Sequence, residues 1–327
     1  MRPLFSIGVT TYDRWALLRE TLVSISRQTF GDFEVLVGND HVARPLSADD
    51  LGVDDPRLRI VNHPRNLGET GNMNALLALA SGRYFTWLAD DDLHAPRFLE
   101  ATRTALETFG AQCAFASYAF GAAFPEEAMA ATPTMRMLTG REFLREYLAR
   151  SLKALGCYGV FETSILRALG GMERLGQGFS PYSDNLLAIR CGLLDRIVYV
   201  DAPLVLFRAH PGSVSLTSRD VAAYTTAQEA LVERALPVLT AESLRADFAR
   251  NLFMLLRWCI RDFAAVVARA GGLGGGAAVR YLHFVAAAAR PLRGSGLYAP
   301  TLRFAARTGA RVAVDMVRSV GRGAAPA

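Results

Sequence analysis

The sequence predicts an α/β protein whose mostly parallel sheet is sandwiched by helices and followed by a C-terminal helical extension. Three observations carry this. Short β-rich apolar runs alternate with stretches of helical apolar spacing through residue 110, which is the pattern of βαβ units. The helical stretches are punctuated by Gly82, by Pro96 at a start and by Gly110 past an end, so strands and helices alternate as in a parallel sheet covered on both faces. Beyond about residue 220 the chain turns Ala/Arg-rich and helical, with no further strand-like run.

"LFSIGVTTY" (4–12) reads as the first strand and "RWALLRETLVSISRQ" (14–28) as the first helix. "FEVLVGND" (33–40) and "RLRIVNHP" (57–64) are the next strands, and "GETGNMNALLALASG" (68–82) is a helix with a Gly stop. "RYFTWLA" (83–89) is a fourth strand, where Trp87 is core packing. "PRFLEATRTALETFG" (96–110) is a helix with Pro at its start and Gly past its end. "AQCAFASYAF" continues the core, and 121–138 reads as a loop. In "TGREFLREYLARSL" (139–152), Thr139 and Glu142 form a capping box. A Gly-rich loop "GQGFSPYSD" precedes the helix "NLLAIRCG", followed by two short strands, "RIVYVD" and "LVLFRAH". "GGLGGG" (271–276) reads as a flexible joint between C-terminal helices. These boundaries suggest a catalytic domain over 1–219, in halves of about 1–110 and 111–219, and an extension over 220–327.

Half of the 327 residues are hydrophobic and a fifth are charged, as in a globular chain. Cys113, Cys157, Cys191 and Cys259 show no metal-ligand spacing and read as reduced core thiols of a cytoplasmic protein. The N-terminus does not read as a secretory signal, and no run is long and apolar enough for a transmembrane helix. The net charge of +5 belongs to the tail: from Arg290 onward there are seven arginines against Asp315. No nucleic-acid-binding motif accompanies that charge.

The run "YFTWLADDDLHAP" (84–96) sets Asp90, Asp91 and Asp92 side by side at a strand's carboxyl end, where open α/β sheets bind ligands. Such a run can be a solvated turn, a helix cap or a hard-cation site. Three adjacent like charges favour the cation, since Mg²⁺ or Mn²⁺ takes carboxylate oxygens and keeps positions for substrate phosphates.

The ordered segments "SIGVTTYDR", "LRETLVSISRQTFGDFEVLVGND" and "NLGETGNMNALLALASGRYFTWLADDDLHAPRFLE" resemble the family 2 glycosyltransferases of the GT-A fold. The resemblance returns in "SDNLLAIRCG" (183–192) and "FRAHPGSVS" (207–215). It implies an inverting transfer of sugar from a nucleotide-diphospho sugar, with UDP favoured, assisted by Mn²⁺ or Mg²⁺. It places Thr10, Thr11, Tyr12, Asp40, Asn66, Gly68, Asn74 and Asp90 at the donor nucleotide. Asp91 and His210 go to the metal, Asp92 to the sugar or acceptor side, and Asp184 to the general base. The chain departs from the family pattern at Ala89, where a first acid is frequent, at Met73, where a basic residue is common, and at Ser183.

The acceptor implied is a saccharide or a lipid-linked sugar in bacterial polysaccharide or glycolipid assembly. Two other readings stay open: a nucleotidyltransferase-like protein, against which the Gly-poor "VTTYDRWALL" argues, and a binding protein that retains the fold. The segment 241–269 has an apolar face with basic residues around it, and "YAPTLRFAARTGARVAVDMVR" repeats the mix. Both suit either an anionic membrane at the inner face or packing on the body or on a second subunit.

Overall fold

A computed structural model of the chain describes residues 2–125, 133–177, 179–272 and 275–309. It divides into two compact units, one of 1–174 with 183–211, the other of 175–182 with 212–327. Parts of the expected 121–138 loop and of the glycine joint, together with Arg311, Asp315, Arg318 and Arg322, lie outside the described residues.

The first unit is the predicted α/β layer structure. Strand β1 (Phe5–Thr11) is followed by α1 (Trp15–Ser26), β2 (Phe33–Asn39), the short α2 (Ala48–Leu51) and β3 (Leu58–Asn62). Then come α3 (Glu69–Leu79), β4 (Tyr84–Ala89), β5 (Leu93–His94) and α4 (Phe98–Phe109). They are followed by β6 (Cys113–Gly121), β7 (Thr134–Leu138), α5 (Gly140–Leu148), β8 (Gly159–Glu162), α6 (Thr163–Ala168), α7 (Ser183–Arg190) and β9 (Ile197–Arg208). The sheet runs β3-β2-β1-β4-β8-β6-β9-β5, with β7 on β9. β1 pairs in parallel with β2 and β4, while β8 enters antiparallel to both β4 and β6.

Local rules account for these elements. β1 buries Phe5, Ile7 and Val9 completely, in a core shared with Leu18, Leu22 and Ile25 of α1 and Phe98 and Leu99 of α4. Trp87 lies in the core as expected, donating its indole N–H to Met73 O at 3.0 Å. α4 stops at Gly110, whose φ of 54° suits glycine. The Thr139–Glu142 capping box forms as read. Two readings are corrected. The segment 134–138 is a strand, β7, antiparallel to β9, because its edge position tolerates the polar alternation that reads as loop. "RIVYVD" and "LVLFRAH" join into the twelve-residue β9: Pro203 sits at a register shift against β6, where the ladder tolerates its missing N–H.

Gly156 packs against the start of α7. A Cβ there would lie 2.0 Å from Asp184 O, with only backbone to push against. We expect Gly156→Ala to cost about 1–3 kcal/mol, read as a lowered urea midpoint at unchanged m-value.

From residue 212 onward the regular structure of the second unit's described residues is helical: α8 (Val214–Thr217), α9 (Val221–Leu239), α10 (Phe248–Arg269) and α11 (Gly275–Ala288), with residues 298–309 helical as well. α10 buries Leu252, Leu255, Leu256, Cys259, Ile260, Val266 and Val267. Its Phe263 ring stacks on Tyr281 with centroids 3.5 Å apart. Gln228, fully buried, accepts from Tyr281 OH at 2.8 Å and donates to Cys259 O at 3.0 Å. The apolar face of 241–269 is therefore an internal surface. Arg257 and Arg261 lie over the Phe304 ring at 4.8 and 5.5 Å from its centroid.

Candidate active site

Register assembles the site. In the parallel ladders Thr11 is level with Asn39, and Thr10 with Ala89, so β1, β2 and β4 end together and deliver Thr11, Asp40 and the acidic triplet to one edge. The backbone N–H of Asp40 donates to Thr11 O at 3.1 Å, and Thr11 Oγ1 donates to Asp90 Oδ2 at 2.6 Å. β9 pairs with β5, Leu93 opposite Leu206, which carries Arg208 and His210 to the same turn.

The three acids meet three environments. Asp90 is fully buried and faces Thr11 and Arg14, forming an ion pair with Arg14 Nη2. Burial lifts its carboxyl to about 6, with Arg14 and Thr11 opposing the rise. The Asp91 side chain is 13% exposed and so reaches the open side. Its Oδ2 accepts from Arg14 Nη1 at 2.6 Å and lies 3.0 Å from His210 Nε2. Asp92 is 2% exposed and turned inward, where it accepts from Tyr158 OH and, at 2.8 Å, from Arg208 N. Burial and then the charge of Asp91 raise it to about 7, against the pull of Tyr158 and Arg208. The sequence expectation placed Asp92 toward sugar or acceptor; the geometry points it into the core because both oxygens find donors there.

Around the expected nucleotide position, Asp40 is buried and accepts from the backbone N–H groups of Leu67 and Gly68, both at 2.7 Å. Asn66 Oδ1 also accepts from Gly68 N, at 2.8 Å. Gly68 caps α3 with φ 71°, a left-handed conformation that glycine adopts without strain. Thr10 is partly exposed. Tyr12 is 52% exposed, its ring 4.9 Å from that of His41. Asn74 does not join them. Its amide donates to Met172 O at 2.7 Å and accepts from Met172 N at 2.9 Å, tying α3 to a distant loop.

Asp184 sits in the first turn of α7. Burial raises its carboxyl to about 6, opposed by the backbone N–H groups of Asn185 and Asp184 itself and by Arg150. Its charge in turn helps raise Tyr147, Cys157 and Glu69. Glu69, at the start of α3, keeps contact with solvent. Crowding by protein atoms, then Asp184, and more weakly Asp91 and Asp90, push its carboxyl upward. Glu69 is thus within electrostatic reach of both the triplet and Asp184.

Three residues that sequence reasoning passed over belong here. Arg14 bridges Asp90 and Asp91; its signal was a lone basic residue in the first strand-to-helix turn. Glu69 adjoins the motif glycine. Arg208 holds the turn by donating Nε–H to Asp91 O and pairing with Glu20.

Asp91 and His210, 3.0 Å apart, are the residues that could offer donors to a divalent ion. One carboxylate and one imidazole suit Mn²⁺ or Mg²⁺ when phosphate oxygens and water complete the shell. Among the described residues no group of three or more His, Cys, Asp or Glu converges as a closed metal cage. The residues present fit an ion shared with a substrate, provided the Arg14 guanidinium leaves Asp91 Oδ2.

The family described as Glycosyl transferase family 2 matches the chain over residues 6–162. Residues 6–162 are a family 2 glycosyltransferase domain. The family 2 domain contains Thr11, Arg14, Asp40, Glu69 and the whole triplet, while Asp184 and His210 follow it in sequence. The chain is 36% identical over 93 residues to a GalNAc(5)-diNAcBac-PP-undecaprenol beta-1,3-glucosyltransferase of Campylobacter jejuni, covering 28% of this chain and 30% of that protein. It is 28% identical over 97 residues to the UDP-Glc:alpha-D-GlcNAc-diphosphoundecaprenol beta-1,3-glucosyltransferase WfgD of Escherichia coli, covering 30% of this chain and 38% of that one. The chain thus spans about a third of the length of the curated relatives it matches. Among solved structures, S. aureus TarS 1–349 in complex with UDP superposes with a TM-score of 0.63 at 16% identity, covering 98% of this chain and 91% of that chain. That likeness is one of fold, and it bears out the GT-A architecture around the family 2 domain.

Proposed function

We propose that the chain is an inverting, metal-dependent glycosyltransferase. It would move a sugar from a UDP-sugar to a hydroxyl of a lipid-linked or saccharide acceptor in bacterial polysaccharide or glycolipid assembly. One observation carries this: Thr11, Arg14, Asp90, Asp91 and His210 form one connected cluster at the sheet's carboxyl edge, with Asp184 in electrostatic reach through Glu69. Support for the donor and acceptor classes comes from the relatives whose names specify UDP-glucose and undecaprenol-linked sugars.

In this reading Asp40, the turn 66–68 and Tyr12 receive the base, and Thr10, Thr11 and Asp90 the ribose side. Asp91 and His210 hold Mn²⁺ or Mg²⁺, which when bound supplies charge to stabilise the departing diphosphate. Asp184 takes the proton of the acceptor hydroxyl as its oxygen bonds to the anomeric carbon, while the bond to the diphosphate oxygen breaks and the diphosphate leaves with the electron pair. A carboxyl near 6 is matched to that task, being ionised at neutral pH yet basic enough to accept a proton. A single displacement from one face inverts the anomeric centre. Asp92 and Asn74 act as positioning residues, the first for the triplet turn and the second for α3. The setting proposed is cytoplasmic, at the inner face of a membrane that holds the acceptor lipid.

The test is UDP release across a panel of UDP-sugars with Mn²⁺ and undecaprenyl-diphosphate sugars. Turnover with one donor is expected. Tight UDP binding with no turnover of any donor would instead leave a nucleotide-binding protein.

A further inference from the structure

From Phe263 to Val314 the chain carries seven arginines and not one Asp or Glu. Only part of this run is committed to the helical core. In α11, Tyr281 and Val285 are buried against Ile260, Phe263 and Val267. On the other side of the same helix Val279 and Leu282 are 53 and 48% exposed. With His283 they stand at i, i+3 and i+4, which places them on one face. Arg280 in the same helix, and Arg290 and Arg293 just past its end, are exposed as well. The helix is too short to cross a bilayer, and no described helix is long and apolar enough to do so.

We propose that the outer face of α11 is a docking surface for an anionic lipid bilayer, with Val279 and Leu282 entering the headgroup boundary and the arginines meeting lipid phosphates. The occupant follows from charge. A stretch with no acid repels another copy of itself, whereas anionic headgroups attract each nearby arginine. Two exposed apolar side chains add the short-range grip that distinguishes interfacial binding from a diffuse ionic cloud. The assignment moves the membrane-facing element away from α10, whose apolar stripe is consumed internally. It gives a purpose to the lipid-linked acceptor of the proposed reaction, on which its biological sense rests, but the binding itself needs no catalysis.

The experiment is sedimentation of the full chain with vesicles of phosphatidylcholine alone and with phosphatidylglycerol added. Binding is expected only with phosphatidylglycerol and should weaken as salt rises. Val279→Glu with Leu282→Glu should weaken it at least about tenfold, and Arg280→Glu with Arg290→Glu similarly, with circular dichroism spectra matching the parent. Equal binding to neutral vesicles, or retention of binding by both double variants, would overturn the proposal, as would a loss confined to self-association. UDP release to a water-soluble acceptor, measured on the same proteins, separates the two claims. Vesicle binding without turnover in any of them upholds the surface and removes the transferase reading; turnover without vesicle binding does the reverse.

Discussion

Asp184→Asn is expected to lower kcat for sugar transfer by about 10²–10⁴-fold while leaving UDP affinity nearly unchanged. The carboxylate is placed to accept the acceptor proton, and the amide that replaces it cannot. In the parent, kcat should rise with pH through about 6 as Asp184 ionises, and this limb should vanish from the residual rate of the variant. The same shift has a stability consequence of opposite sign. Because the folded protein raises this carboxyl from 3.8 to about 6, the native state holds more protons than the unfolded state between those values. The group therefore removes stability as pH rises through that window. Asp184→Asn should melt no lower than the parent at neutral pH, and higher if the buried charge is as costly as its shift implies. A fully active variant, or an unchanged acid limb, would exclude Asp184 as the base.

Arg14→Met is expected to tighten Mn²⁺ binding to the donor-free protein by about tenfold or more, read by electron paramagnetic resonance of free Mn²⁺. The guanidinium now meets Asp91 Oδ2 at 2.6 Å and pairs with both oxygens of Asp90. A divalent ion approaching Asp91 therefore contends with a resident cation. Removing that cation also leaves Asp90, fully buried, without its counter-charge. We expect a loss of about 1–2 kcal/mol without Mn²⁺, discounted because Arg14 is itself 36% exposed. Added Mn²⁺ should raise the melting point of Arg14→Met more than that of the parent. Asp91→Asn is the control: it should lose Mn²⁺ binding whether or not Arg14 is present. An unaltered Mn²⁺ affinity in Arg14→Met would show that the guanidinium does not contend for the ion.

Much of this was legible in the sequence because strand ends and acids coincide in one dimension. Apolar runs punctuated by Asn39-Asp40 and Asp90 announce where a parallel sheet presents its carboxyl edge, and the βαβ order follows from alternating periodicities. The facing of each side chain was not legible. Asp91 and Asp92 are neighbours in sequence with opposite fates: one meets Arg14 and the open side, the other Tyr158 and the core. Partners far off in sequence, Tyr158 and the Arg208 that β9 brings beside β5, decide between them. Asn74 likewise reads as a ligand residue until its partner at Met172 is seen. In the helical unit, periodicity marked α10 as amphipathic without saying whether lipid or protein covers it. Packing against Tyr281 and Phe304 answers that.

The grip of Asp40 on Leu67 and Gly68 carries one more consequence. A nucleobase arriving at that carboxylate would find an acceptor already locked in orientation by two amide protons, so no rotamer freedom is lost on capture. Swinging Asp40 aside to admit a bulkier purine would break both of these hydrogen bonds. Donor choice would then be written in main-chain geometry, and switching it would require rebuilding the 66–68 turn rather than exchanging a single side chain.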